Sequence, residues 1–210
     1  MDVLTELTAE SSVLDIGPGS GAIGAYLKQD LGVTQLSAVE IDPETIEMLR
    51  EQEIYSEIKT DVSELSVQQF DCILLMDLLE HLPDPFSFLQ EIQTLLKPGG
   101  IICVSVPNIA HWSIRFSLLL GFFEYTERGI LDKTHLQFFN FRRFRYLCSR
   151  ASSCSLEQTA PSLEPVEFVL PSWITGFFFF KALRQCQLRI AHLVPGLFAY
   201  QHLGLLRKSN

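Results

Sequence analysis

Apolar and polar positions along this chain follow two periods, and the switches between them mark its elements. Val13, Leu14 and Ile16 form a short apolar run around one acid, Asp15, while Phe70–Met76 (FDCILLM) and Ile101–Val106 (IICVSV) are almost continuously apolar. Runs of that length without alternation belong to parallel strands covered on both faces. Gln35–Ile41 predicts a second strand and Ile54–Thr60 a weak third, with Asp61 at its end. Between the strands the period becomes helical. Ala22–Lys28 reads as a helix, Asp42 with Pro43 opens another, and Asp84 with Pro85 opens a third carrying Phe88, Leu89, Ile92, Leu95 and Leu96. Asp as a cap followed by Pro in the first turn is the expected helix start, and Lys97-Pro98-Gly99-Gly100 is the expected stop. Later, Asn140 caps a helix over Phe141–Arg150, and Leu156–Ala160 predicts a strand. Pro161 to Pro171 is a connection punctuated by prolines. Phe177–Leu193 reads as a helix broken by Pro195-Gly196, and Leu197–Leu206 as the last strand. Strands alternating with helices in this way define an α/β fold around a parallel sheet.

The first strand runs into Gly17, Gly19 and Gly21 before the first helix. A turn of glycines lets the backbone approach a ligand closely, and the helix N-terminus behind it favours a carboxylate or phosphate. In a dinucleotide fingerprint the third small residue stands three after the second glycine, a place Ala22 fills. Here Gly21 stands only two after Gly19, and an acid lies two before Gly17. Glu40, 19 residues after Gly21, stands where a strand-end acid accepts hydrogen bonds from a ribose diol, or else simply opens a loop.

Composition narrows the class. With 210 residues, 47% hydrophobic and 20% charged, the chain is expected to fold as one globular domain. Its first residues lack the basic and apolar regions of a signal peptide. Its longest apolar runs, Ile114–Phe123 and Trp173–Phe180, fall well short of the ~20 residues that span a bilayer. Five cysteines (Cys72, Cys103, Cys148, Cys154, Cys186) without CxxC spacing fit reduced thiols and a cytoplasmic protein. Charge is uneven. Residues 1–100 hold 4 basic and 19 acidic residues, whereas residues 101–210 hold 12 and 6, together with 13 of the 16 Phe. Net acidity argues against a partner that is nucleic acid. The Phe- and Arg-rich second half reads either as a core under solvated basic faces, with Arg142, Arg143, Arg145 and Arg150 on the surface, or as the side that meets an apolar, anionic partner such as a phospholipid surface.

The series VLDIGPGSG, AVEID, TD, FDCILLMDLLEHLPDP and LKPGGIICVSVPN resembles, over roughly residues 12–108, the class I S-adenosylmethionine (SAM)-dependent methyltransferases. It is most similar to the group of ubiquinone-biosynthesis-type O-methyltransferases and MetW-like proteins, and GFFEYTERGILDKTHLQFFN resembles bacterial members of that group. The resemblance implies a Rossmann-like, doubly wound sheet of seven strands in the order 3-2-1-4-5-7-6, strand 7 antiparallel, with helices on both faces. It implies one domain over 1–210: a SAM-binding half (1–108), a lid or substrate insertion (109–140) and a C-terminal half completing the sheet (141–210). By motif, Gly17, Gly19 and Gly21 approach the methionine portion of SAM and Asp15 helps to hold that end. Glu40 with Ile41 takes the ribose, Asp61 and the Val62 N–H the adenine edge, and Asp77 and Leu78 lie beside the sulfonium and the incoming nucleophile.

A sulfonium methyl is already activated, so the protein supplies an in-line approach, exclusion of water and a base. His111 and His135 are the candidate catalytic bases, and His81 is expected to support the strand-4 loop. The sequence shows no metal-ligand spacing and no Gly-x-Ser-x-Gly elbow. The expected reaction is O-methylation, yielding S-adenosylhomocysteine (SAH), of a small or lipid-linked acceptor such as a quinone precursor or an envelope glycan intermediate, with peripheral contact at the inner membrane face through the second half. The alternative is a non-catalytic SAM-binding module acting through a partner enzyme. Many relatives carry an N-terminal arm over SAM. Here about a dozen residues precede the first strand, so the 109–140 insertion is expected to serve as lid, or a partner to complete the pocket.

Overall fold

The computed structural model describes residues 6–65, 68–164 and 178–209. Seven strands form one sheet: β1 (Ser12–Ile16), β2 (Gln35–Val39), β3 (Glu57–Lys59), β4 (Phe70–Met76), β5 (Leu96–Pro107), β6 (Cys154–Pro161) and β7 (Gln201–Lys208). Their order is β3-β2-β1-β4-β5-β7-β6. The first five pair in parallel, and β7 runs antiparallel between β5 and β6, as expected. The helices are α1 (Ala22–Gln29), α2 (Pro43–Glu51), α3 (Pro85–Ile92), α4 (Trp112–Leu119), α5 (Phe141–Ser149), α6 (Phe178–Leu193) and a single turn, α7 (Pro195–Phe198).

The uninterrupted apolar strands have the physical cause anticipated for them. Along β4, Ile73 and Leu75 enter one core with Leu14, Leu89, Ile92, Phe144 and Leu147, while Cys72 and Leu74 enter another with Val13, Leu27 and Leu36. Both sheet faces are thus covered, by α3 and α5 on one side and α1 on the other. All five cysteines are free thiols; Cys72, Cys103 and Cys148 are buried, and Cys186 is exposed. Caps form where polar residues announced them. Asp42 accepts from the Thr45 N–H at 2.9 Å, Asp84 from the Phe86 and Ser87 N–H groups at 3.1 Å, and Asn140 from the Arg143 N–H at 2.9 Å.

Several boundaries move, each for a local reason. β2 ends at Val39 rather than Ile41, because the Glu40 carboxylate takes the Ile41 and Asp42 N–H groups and turns the chain. β3 spans only Glu57–Lys59, and Ile54 joins the core instead. α3 stops at Ile92 and a tight turn carries the chain to Leu95; Leu96 already pairs with Phe70, so Lys97–Gly100 lies inside β5. Pro195 does not merely break the preceding helix: it starts the turn α7, which delays β7 to Gln201. The four arginines of α5 and its end are exposed, as expected. The Trp173–Phe180 stretch and the Pro161–Pro171 connection fall largely outside the described residues.

Candidate functional site

At the carboxyl ends of β1, β2 and β4 the sheet opens into a cavity of about 620 Å3, the size of a small-molecule site. Its walls bring together Gly17, Gly19, Glu40, Ile41, Asp61, Val62, Asp77 and Leu78, eight of the ten residues assigned to the cofactor from sequence. Gly19 has φ +52°, and a Cβ built there meets nothing within 4 Å, so a side chain at this position would stand in the cavity itself. Gly21 caps α1 with φ +73°, and its missing Cβ makes room for Leu49 and Gln52, which would lie 2.8 Å away. Asp15 stands behind the turn: it is buried, and its carboxylate accepts from the Tyr55 hydroxyl at 2.7 Å. Burial pushes its carboxyl up to about 6, Tyr55 opposing and the charge of Glu40 adding to the rise.

The remaining lining residues fit a nucleoside. One Glu40 oxygen accepts from the Ile41 N–H at 2.8 Å and the Asp42 N–H at 3.0 Å, which leaves the other for a diol. One Asp61 oxygen accepts from the Ser63 N–H at 2.7 Å. Ile41 is 80% exposed at the mouth, and with Val39, Val62, Leu82 and Phe88 it offers apolar surface to a flat ring.

Asp77 is the hinge of the site. At the end of β4 it adopts φ +51°, one of two non-glycine residues with positive φ among the described residues, a strained conformation that neighbours must hold. Ser105 of β5 does so twice, its hydroxyl accepting from the Asp77 N–H at 2.9 Å and donating to the Asp77 carboxylate at 2.8 Å. Gln201 of β7 donates to the second carboxylate oxygen at 2.7 Å.

Beyond Asp77 and His81, which line both, lies a second chamber of about 390 Å3, walled by Glu80, Pro107, Arg128, Gly129, Asp132, His135, Tyr200 and Gln201 as well. His81 and His135 meet edge to face, ring centres 4.8 Å apart. His135 Nδ1 lies 3.2 Å from the Ile130 carbonyl, a contact that requires Nδ1–H and leaves the Nε2 lone pair open. His81 is tied to Thr134, its Nδ1 3.1 Å from the hydroxyl, consistent with support of its loop. Glu80 is only 1% exposed, and neither carboxylate oxygen has a hydrogen-bond partner among the described residues. Burial, reinforced by Asp77, pushes its carboxyl up to about 8. Ligand atoms of Glu80, His81 and His135 lie within 4.8 Å of one another, close enough to hold a divalent cation, a grouping that sequence spacing did not show because His135 arrives from the insertion.

His111 lies elsewhere. It is buried one layer back, its ring 5.9 Å from that of Tyr200 and its Nδ1 2.8 Å from the Ser113 hydroxyl. It lines a separate pocket with Trp112, Glu164 and Arg184, and burial holds it down at about 4.

A glycine turn, an acid at the end of β2 and a junction at the end of β4, all on a 3-2-1-4-5-7-6 sheet, define a class I SAM-dependent methyltransferase site. A family model described as a methyltransferase domain matches residues 1–151, and the chain belongs to that family. The ubiquinone biosynthesis O-methyltransferase of Xanthomonas campestris pv. campestris (strain B100) is 32% identical over 131 residues, 59% of this chain and 53% of that protein. The chain thus spans about half the length of the curated relatives it matches. Among solved structures, a putative methyltransferase in complex with the Haloferax volcanii Trm112 activator superposes with a TM-score of 0.66 at 15% identity, over 100% of this chain and 88% of that one. The plantazolicin methyltransferase BpumL, in complex with SAH, gives a TM-score of 0.64 at 19% identity, over 100% and 79%. SAM is the cofactor of this fold and family.

Proposed function

We propose that this chain transfers the methyl group of SAM to a hydroxyl oxygen of a small or lipid-linked acceptor held in the second chamber. The observation that carries this reading is that the two cavities share Asp77 and His81, so donor and acceptor would meet at one junction. The first cavity would hold SAM with its methionine end on the glycine turn, backed by Asp15 and Gly21, its ribose on Glu40 and its adenine between Ile41, Asp61 and Val62. Asp77 and Leu78 would flank the sulfonium. The acceptor oxygen attacks the methyl carbon in line and the C–S bond breaks with its electron pair left on sulfur. The hydroxyl proton passes to His135 Nε2. His111 would act from behind, fixing Tyr200.

An apolar tail has a surface to rest on. The insertion from Pro107 to Arg128, whose end residues both wall the chamber, carries α4, none of whose residues is buried. Trp112, Phe116 and Leu119 stand exposed on it, followed by Leu120, Phe122 and Phe123. Patches of this kind mark contact with apolar partners, here the lipid part of an acceptor or a peripheral membrane surface. Among the described residues no helix is long and apolar enough to cross a membrane.

The test is transfer of tritium from methyl-labelled SAM into material extracted from the parent cells, by wild type and by His135→Ala, with SAH binding measured on both. Transfer by wild type that collapses in the variant while SAH still binds supports the reading. SAH binding with no transfer by wild type favours the alternative, a SAM-binding module that works through a partner.

A further inference from the structure

From the chemistry of the second chamber we infer that its acceptor is sugar-like, a molecule dense in hydroxyl groups, rather than an apolar ring; this rests on the methyl-transfer reading above. Ligand sites are mostly apolar with a few polar anchors, and the cofactor cavity follows that rule with Ile16, Val39, Ile41, Leu78, Leu82 and Phe88 among its walls. The second chamber differs from it in the residue types of its walls. Of its ten wall residues, only Pro107 and Gly129 lack a polar side chain.

Three of its polar side chains, Glu80, Arg128 and Tyr200, make no side-chain hydrogen bond among the described residues. Glu80 is the sharpest case, a buried carboxyl group neither of whose oxygens has a hydrogen-bond partner among the described residues, and buried polar groups of this kind call for one. Two adjacent hydroxyls supply two such partners. Arg128 contributes a guanidinium and Tyr200 a phenolic hydroxyl, neither with a hydrogen-bond partner among the described residues. These donate to the oxygens of further hydroxyls, and the Tyr200 ring offers a face to the C–H side of a pyranose. Asp77 is different: its carboxylate is already taken by Ser105 and Gln201, which reserves it for the junction. Acids and donors lining one chamber suit a neutral polyol, which both gives and accepts hydrogen bonds. An apolar ring would leave Glu80, Arg128 and Tyr200 dry and unpaired, and sites built to bind hydroxyls reject analogues lacking them by about 10^4-fold.

The experiment is to incubate the full chain with methyl-tritiated SAM and whole-cell extract, then hydrolyse the products in mild acid and partition them between water and hexane. The expected result is label in the water phase that separates as O-methyl monosaccharide and is identified by mass spectrometry. Arg128→Gln and Tyr200→Phe should each raise KM for that acceptor about tenfold, with SAH affinity unchanged. Label that stays in hexane as a methoxylated ring overturns the inference while leaving methyl transfer standing. The absence of label from both phases, with SAH bound normally, overturns it together with the transferase reading. Transfer that chelator abolishes and magnesium restores would give Glu80 to a cation and overturn its hydroxyl contact.

Discussion

The two cavities that meet at Asp77 are built in opposite ways. The cofactor side is mostly backbone and strand ends. Its lining residues all fall between Ile16 and Glu91, and two of its acids are oriented by neighbours one or two residues away, Glu40 by Ile41 and Asp42 and Asp61 by Ser63. The second chamber is side chains gathered from the ends of β4, β5 and β7 and from the insertion, one of which, Glu80, has no hydrogen-bond partner among the described residues. On the proposed reading, the ligand common to the family would be met by local turns and strand ends, and the ligand particular to this chain by side chains brought together over long sequence separations.

That contrast can be broken experimentally. The largest effect is expected from His135→Ala, which should lower kcat by about 10^2-fold or more, the usual worth of a general base, and leave SAH affinity within about twofold. A comparable loss of both would show the two sides are not separable. Gly19→Val places a side chain in the cofactor cavity and should weaken SAH binding about 100-fold. Its positive φ adds about 1–2 kcal/mol of strain, which a melting curve detects. Unchanged affinity in a folded variant would remove the glycine turn from the site.

Asp15→Asn separates bracing from binding. Asp15 holds its proton more tightly folded than unfolded, so it lowers native stability as pH rises from about 4 through about 6, and the penalty is complete above that range. The variant keeps an acceptor for Tyr55 and should gain up to about 3 kcal/mol over wild type at pH 7.5, the gain shrinking towards pH 4. Equal denaturation midpoints at both pH values would contradict this. The smallest effect is reserved for the junction. Gln201→Leu removes a donor that partly neutralises one oxygen of Asp77, so the preference for positively charged SAM over neutral SAH should rise about three- to tenfold by calorimetry. An unchanged ratio would mean that Asp77 does not face the sulfonium.

How much of this was legible in the sequence follows the same division. The strand order, both cores, the caps and the convergence of eight residues on the first cavity could be read because apolar period, cap chemistry and glycine turns are local signals. Boundaries failed where one side chain intervened, as at Glu40, or where a proline started a turn rather than ending a helix, as at Pro195. Gln201, Arg128 and Tyr200 carried no local signal, since only the antiparallel return of β7 and the path of the insertion bring them to β4. Ser105 was visible in retrospect, a lone hydroxyl in the apolar run IICVSV that a buried strand would keep only for a partner. His111 and His135 look alike in sequence, each in a loop near an aromatic residue, and only the fold puts one in the acceptor chamber and the other behind Tyr200.

The most direct test of the whole account is calorimetric titration of SAH into wild type and Glu40→Ala. The account predicts one micromolar site in wild type, weakened at least about tenfold in the variant, because hydrogen bonds to a charged group contribute roughly 1.5–3 kcal/mol. A folded wild type that binds no SAH, or a Glu40→Ala protein that binds it as wild type does, would contradict the placement of the cofactor on which every other assignment depends.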